Sequence, residues 1–228
     1  MKRLLVLASV AAGFAVAPAP ALATDECRGL QQCVPVHGPW VVVPTANTFP
    51  RARVEWQLTC PRGYVAAGLD AELSHRAIDV GFLGRVGAPV TPGVATRRSI
   101  VFYASYVGAT ARAPSFRPHV GCMPGGGGGR IPTAFKPGEP TIRRVAQNEV
   151  APGRGTAAKS CLPRETLVDA KHAFGFFMRN APSASLVASV AGRQRVTSRR
   201  VAVAVTADVE VASVQAVVQV HAVCSRAR

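Results

Sequence analysis

Acidic side chains are scarce in this chain of 228 residues. Only 12 are Asp or Glu, against 27 Lys and Arg, and lysine itself is rare among the bases. Aromatic residues make up 6%, so a core has to be built mainly from aliphatic side chains. Beyond the first segment, no uncharged apolar run approaches the ~18–20 residues that a membrane-spanning helix needs. Several catalytic signatures are missing as well: there is no Gly-x-Ser-x-Gly elbow, no His-Glu-x-x-His, no P-loop and no EF-hand loop. The run Gly125 to Gly129 is followed by Arg130 and lacks both a preceding apolar strand and a Lys-Ser/Thr pair, so it does not cradle phosphate. What is present excludes wholesale disorder, because 48% of residues are hydrophobic. The length allows one large or two small domains.

The first 23 residues have the pattern of an export signal. Lys2-Arg3 precede an apolar stretch over 4–16, and Ala21-Leu22-Ala23 supplies a small-x-small cleavage pattern. Cleavage after Ala23 would lower the formal charge from +15 to +13 and leave a secreted protein without a membrane span. Such a field attracts polyanions without specifying one. An arginine-rich coding composition would leave the same excess.

The chain contains an internal repeat. Cys60 and Cys122 are separated by nearly the same distance as Cys161 and Cys224, and the stretch before each second cysteine aligns without a gap. Arg97-Arg98 matches Arg199-Arg200, Val107 matches Val209, and His119 matches His221. Near the first cysteines, Pro61-Arg62 answers Pro163-Arg164, and Leu69-Asp70-Ala71 answers Val168-Asp169-Ala170. The expected organisation is a signal peptide (1–23), an N-terminal cysteine loop (24–33), a first module (34–124), a flexible glycine linker (125–132) and a second module (133–228).

Each module is expected to be all-β, a disulfide-bonded sandwich or compact barrel. Val201, Val203, Val205, Val209 and Val211 sit at spacing two, as on one face of a strand. Further strands are expected over 36–43, 54–60, 100–107, 186–190 and 214–224, with Pro and Gly between them. Trp40, Trp56 and the cluster Phe174, Phe176, Phe177, Met178 belong to buried surfaces. Six cysteines in an exported chain imply disulfides. The repeat selects Cys60–Cys122 and Cys161–Cys224, which leaves Cys27–Cys33. A zinc site built on His119-x-x-Cys122 and His221-x-x-Cys224 is disfavoured, since positions three apart on a strand face opposite ways. No metal and no cofactor are expected.

Cys60-Pro61-Arg62-Gly63 with Gly68, and the closing Ala222-Val223-Cys224, resemble a β-module repeat of bacterial secreted proteins. That family opens with Cys-Pro-x-Gly and closes on a strand ending in Ala-x-Cys. The resemblance implies an exported disulfide-bonded β module and carries over no catalytic residue.

Two kinds of site remain. Asp70 with His75, and Asp169 with His172, are weak candidates for an Asp–His base in a secreted hydrolase; their spacings differ and no serine is matched nearby. Arg97, Arg98, Arg193, Arg195, Arg199 and Arg200, with Arg143-Arg144 as a further pair, are candidates for polyanion binding. Arg193 and Arg195 would share a strand face and fork onto phosphate, sulfate or carboxylate groups. Aromatics that would stack bases are sparse beside them, which disfavours a specific nucleic-acid reader. The expected function is that of a non-enzymatic binding or structural protein engaging an anionic polysaccharide or another envelope component. A hydrolase and a protease-inhibitor or interaction module are the alternatives.

Overall fold

The computed structural model describes residues 24–45, 51–83, 98–109, 113–125 and 141–226. The expected export signal, the glycine linker beyond Gly125 and Arg97 lie outside them. The described chain is all-β, as the alternation of valines requires, and no helix in it is long and apolar enough to cross a membrane.

Thirteen strands are described. The first half supplies β1 (Val34–His37), β2 (Trp40–Val42), β3 (Arg53–Thr59), β4 (Tyr64–Leu73), β5 (Ile78–Leu83), β6 (Ser99–Tyr106) and β7 (Ser115–Pro124). The second supplies β8 (Thr141–Glu149), β9 (Gly153–Ser160), β10 (Glu165–Phe177), β11 (Val190–Val196), β12 (Arg200–Ala207) and β13 (Gln215–Arg226). All pairings are antiparallel, and their pattern recurs. Strand β7 lies between β4 and β1 as β13 lies between β10 and β8. Strand β6 lies between β3 and β5 as β12 lies between β9 and β11.

The halves are nevertheless continuous. The short β2 hydrogen-bonds β7 along one edge and β10 along the other, so one seven-stranded sheet passes through both. Each half also has a three-stranded sheet packed across a core. In the first, Trp56, Ile100 and Phe102 meet Phe116, Val120 and Cys122; in the second, Val201, Val203 and Val205 meet Val218, Val220 and Cys224. Strand β10 serves both cores, with Phe176 buried in the second and Phe177 packed against the first.

The disulfides are Cys27–Cys33, Cys60–Cys122 and Cys161–Cys224, the pairing that the repeat implies. Each long bridge ties one sheet to the other within its half. Closing loops of 62 and 63 residues stabilises by about 4 kcal/mol each on the chain-entropy model.

Three local expectations are corrected. Residues 186–189 are not a strand, which begins only at Val190: Ser183 caps a short helix, α1 (Ala184–Ala188), through its Oγ on the Leu186 amide at 3.2 Å, the standard use of serine at a helix start. Val209 and Val211 do not extend the valine strand, which ends at Ala207; they lie in a 3-10 turn (Val209–Ser213), where Val209 is exposed and Val211 buried. The gapless match of the copies is also one residue out along β6 and β12. Cys60 bonds the Arg98 carbonyl as Cys161 bonds that of Arg199, so Ile100 corresponds to Val201 and not to Ala202. One residue either way flips every side chain to the other face.

Candidate functional site: an arginine face on the second half

The sheet β11-β12-β9 turns its valines inward, and alternation sends its even-numbered β12 residues outward. Arg193 and Arg195 stand opposite Ala204 and Ala202, which face Thr156 and Ala158 on β9. Arg200 pairs with Ser160, and Thr206 pairs with Arg154. The outer face therefore has a floor of Ala and Thr with Arg154, Arg193, Arg195 and Arg200 around it, all exposed. Residues two apart on a strand are about 7 Å apart, a spacing that suits successive anionic groups of a polymer. None of the three strands contains Asp or Glu. Among the described residues no carboxylate pairs with any of these four arginines or with Arg199. Arg199 and Arg200 lie at the β11–β12 turn, which Thr197 holds by its amide to the Arg200 carbonyl and by its Oγ1 to the Arg200 amide.

The remaining arginine candidates are engaged elsewhere. Arg98 donates Nε and Nη2 to the Cys60 carbonyl at 3.3 and 2.9 Å. Arg144 makes a two-pronged pair with Glu165 at 2.8 and 2.7 Å, which holds its guanidinium above the ordinary value, chiefly through that hydrogen bond.

Arg143 is part of a seam between the halves. Its Nη1 lies 2.6 Å from Glu55 Oε2 and donates to His221 Nδ1 at 2.7 Å. His221 Nε2 then donates to Gln219 Oε1 at 2.6 Å. The Gln219 amide takes up both backbone groups of Gln57, accepting from its N–H at 2.7 Å and donating to its carbonyl at 3.1 Å. A side-chain amide thus closes the edge of β3. Burial, then the Arg143 charge, press the His221 pKa down to about 3, so it stays a neutral ring with one accepting and one donating nitrogen.

The Asp–His candidates are not assembled as pairs. Asp70 accepts from the Asp25 and Ala71 amides, both at 2.8 Å, while His75 accepts from the Ala77 amide and lies edge-on to Tyr106. Asp169 pairs with Lys171 at 3.4 Å, and His172 bonds Gln194 at 2.8 Å. The two aspartates are not equivalent positions either: Asp70 stands opposite His119, whereas Asp169 stands opposite Val223. His172 and Gln194 do line a groove of about 320 Å³ between the halves, together with Arg53, Lys171 and Phe174.

A polar cluster that no sequence motif announced lies on the outer side of β7, where Glu26, His37, Glu72 and His119 meet under the N-terminal loop. Burial, then the field of His37, lower the His119 pKa against the opposing pull of Glu72 and Glu26. Burial works against ionising Glu26, but the nearby Thr24, its own backbone and His37, with the field of His119, hold it below the ordinary carboxyl value.

No family model, curated protein or solved structure matches this chain.

Proposed function

We propose that this is an exported, non-catalytic binding protein that engages an anionic polymer of the cell envelope, a polysaccharide or a component of like charge, through the outer face of β11-β12-β9. The observation that carries the proposal is the grouping of Arg154, Arg193, Arg195 and Arg200 on one sheet face with no carboxylate in its strands. Arginine forks match phosphate, sulfate and carboxylate oxygens two at a time. Export agrees with the three disulfides, which persist in oxidising compartments.

The test is retention of the purified full chain on dextran sulfate resin and on isolated envelope, at low and high salt. Retention should fade as salt screens the contact, and replacing Arg193, Arg195, Arg199 and Arg200 together by Ala should weaken it at least tenfold. Retention that ignores salt, or that survives the fourfold substitution, overturns the proposal.

A further inference from the structure

The outer face of β7 is covered by chain that has no counterpart among the described residues of the second half. Residues 24–33 lie across it, fixed by the Asp25 amide on Asp70 Oδ2 at 2.8 Å and closed by Cys27–Cys33. Gly68 and Gly121, directly opposite each other on β4 and β7, make this possible. A Cβ on either would collide with the Glu26 carbonyl. The loop thereby delivers the Glu26 side chain, 3% exposed, into the space beside His37 and His119.

Four groups from four segments converge there. Glu26 Oε1 lies 3.0 Å from His37 Nε2, and Glu72 Oε1 lies 3.1 Å from His119 Nε2. The two rings meet edge to face with centroids 4.5 Å apart. A carboxylate oxygen of Glu26 and one ring nitrogen from each histidine all fall within 4.8 Å of one another. His119 is 1% exposed, and while its Nε2 faces Glu72, its Nδ1 makes no hydrogen bond and Glu26 Oε2 is likewise buried without one. Buried polar groups left unmet are costly and rare in folded proteins, so an arrangement with two at one point calls for something between them. Charge gives the sign of the missing partner. Asp25, Glu26, Asp70 and Glu72 are a third of the chain's 12 acids, gathered in one spot on a strongly basic protein.

We propose that Glu26, His37 and His119 bind one divalent transition-metal ion of the zinc type, with Glu72 beside the His119 ring. Two imidazoles with carboxylate oxygens form a ligand set that zinc takes, with bonds near 2.0–2.2 Å. Calcium and magnesium use oxygen ligands instead. The ion would take one His119 nitrogen and the Glu26 carboxylate at once, and fasten the N-terminal loop to the sheet. His37, 41% exposed at its side chain, leaves an entry path from solvent.

The experiment is calorimetric titration of the chelator-treated full chain, disulfides intact, with ZnCl2, alongside thermal melts with and without the ion. One saturable site per chain and a melting temperature that climbs with Zn2+ are expected, and Co2+ should give the visible absorption of a four-coordinate N/O site. His37→Ala and Glu26→Gln should each weaken binding at least tenfold, whereas His75→Ala and His172→Ala should leave it unchanged. Since His37 is exposed, its variant keeps the fold, which circular dichroism verifies, and so remains informative if the Glu26 variant is less stable. Absence of a saturable site, binding that survives His37→Ala, or binding lost with His75 or His172 overturns the proposal.

Discussion

His119 and His221 occupy equivalent places on β7 and β13, each three residues before a disulfide cysteine and each almost fully buried on the face turned away from its core. Their surroundings have diverged. His221 is saturated, with Arg143 on one nitrogen and Gln219 on the other, and the cover is β3 of the other half. The His119 ring faces Glu72 at 3.1 Å through Nε2 while its Nδ1 makes no hydrogen bond, and its cover is the disulfide-closed N-terminal loop. Around it stand His37, Glu72 and Arg117, where the second half has Val145, Ala173 and Gln219. One histidine is a structural part of the seam, while the other faces a set of metal-ligand types. The difference shows that the strand position fixes burial, whereas the covering element fixes chemistry.

That contrast can be broken most severely at the seam. Glu55→Ala removes the acid facing Arg143 and leaves a charged group buried beside His221, so a loss of about 3 kcal/mol is expected in urea unfolding. The same experiment with Glu72→Ala should cost less, because Glu72 is about one-third exposed. On the other half, Gly68→Val should drive the loop, and Glu26 with it, away from β4 and β7 at a cost of about 2 kcal/mol. Faster reduction of Cys27–Cys33 by dithiothreitol and weaker Zn2+ binding should accompany it.

The histidines also separate by pH. His221 titrates near 6.5 when unfolded and near 3 when folded, so the unfolded chain binds the extra proton between those values. Its contribution is complete above pH 6.5 and declines as pH falls towards 3, with a slope of about 1.4 kcal/mol per pH unit. The groups facing it are Arg143 from β8, Lys171 from β10 and Glu55 from β3. Unfolding titrations of His221→Gln against the parent should show the slope removed. The smallest effect belongs to the arginine face: Arg193→Ala with Arg195→Ala should shift stability by less than about 0.5 kcal/mol while reducing retention on dextran sulfate. A large destabilisation instead would mark those arginines as part of the fold.

Much of the fold was legible before the structure. Cysteine spacing gave the three bridges, because two near-equal separations of 62 and 63 residues paired the long-range cysteines and left Cys27 for Cys33. Alternating valines over 201–205 marked one strand face, and Trp40 and Trp56 proved to be core. The short helix at 184–188 was missed because Leu186, Val187 and Val190 look strand-like unless Ser183 is recognised as a cap. The match of Arg97-Arg98 to Arg199-Arg200 misled by one residue, since identical side chains align as well on the wrong face as on the right one. Among the arginines, sequence clustering could not separate Arg98 and Arg143, which are engaged by a carbonyl and a carboxylate, from Arg193 and Arg195, which are not.

By itself, then, the sequence determined what is local or periodic: strand faces, the cross-link pattern and the excess of positive charge. These follow from side-chain alternation and from the near-equal spacing of the cysteines. Only the tertiary structure decided that β2 stitches the halves into one sheet, that Gln219 closes the edge of β3, and that Glu26 arrives beside His37 and His119. Those contacts join residues as far as 162 positions apart, and they depend on which element covers an already buried face, a packing choice that no local pattern encodes.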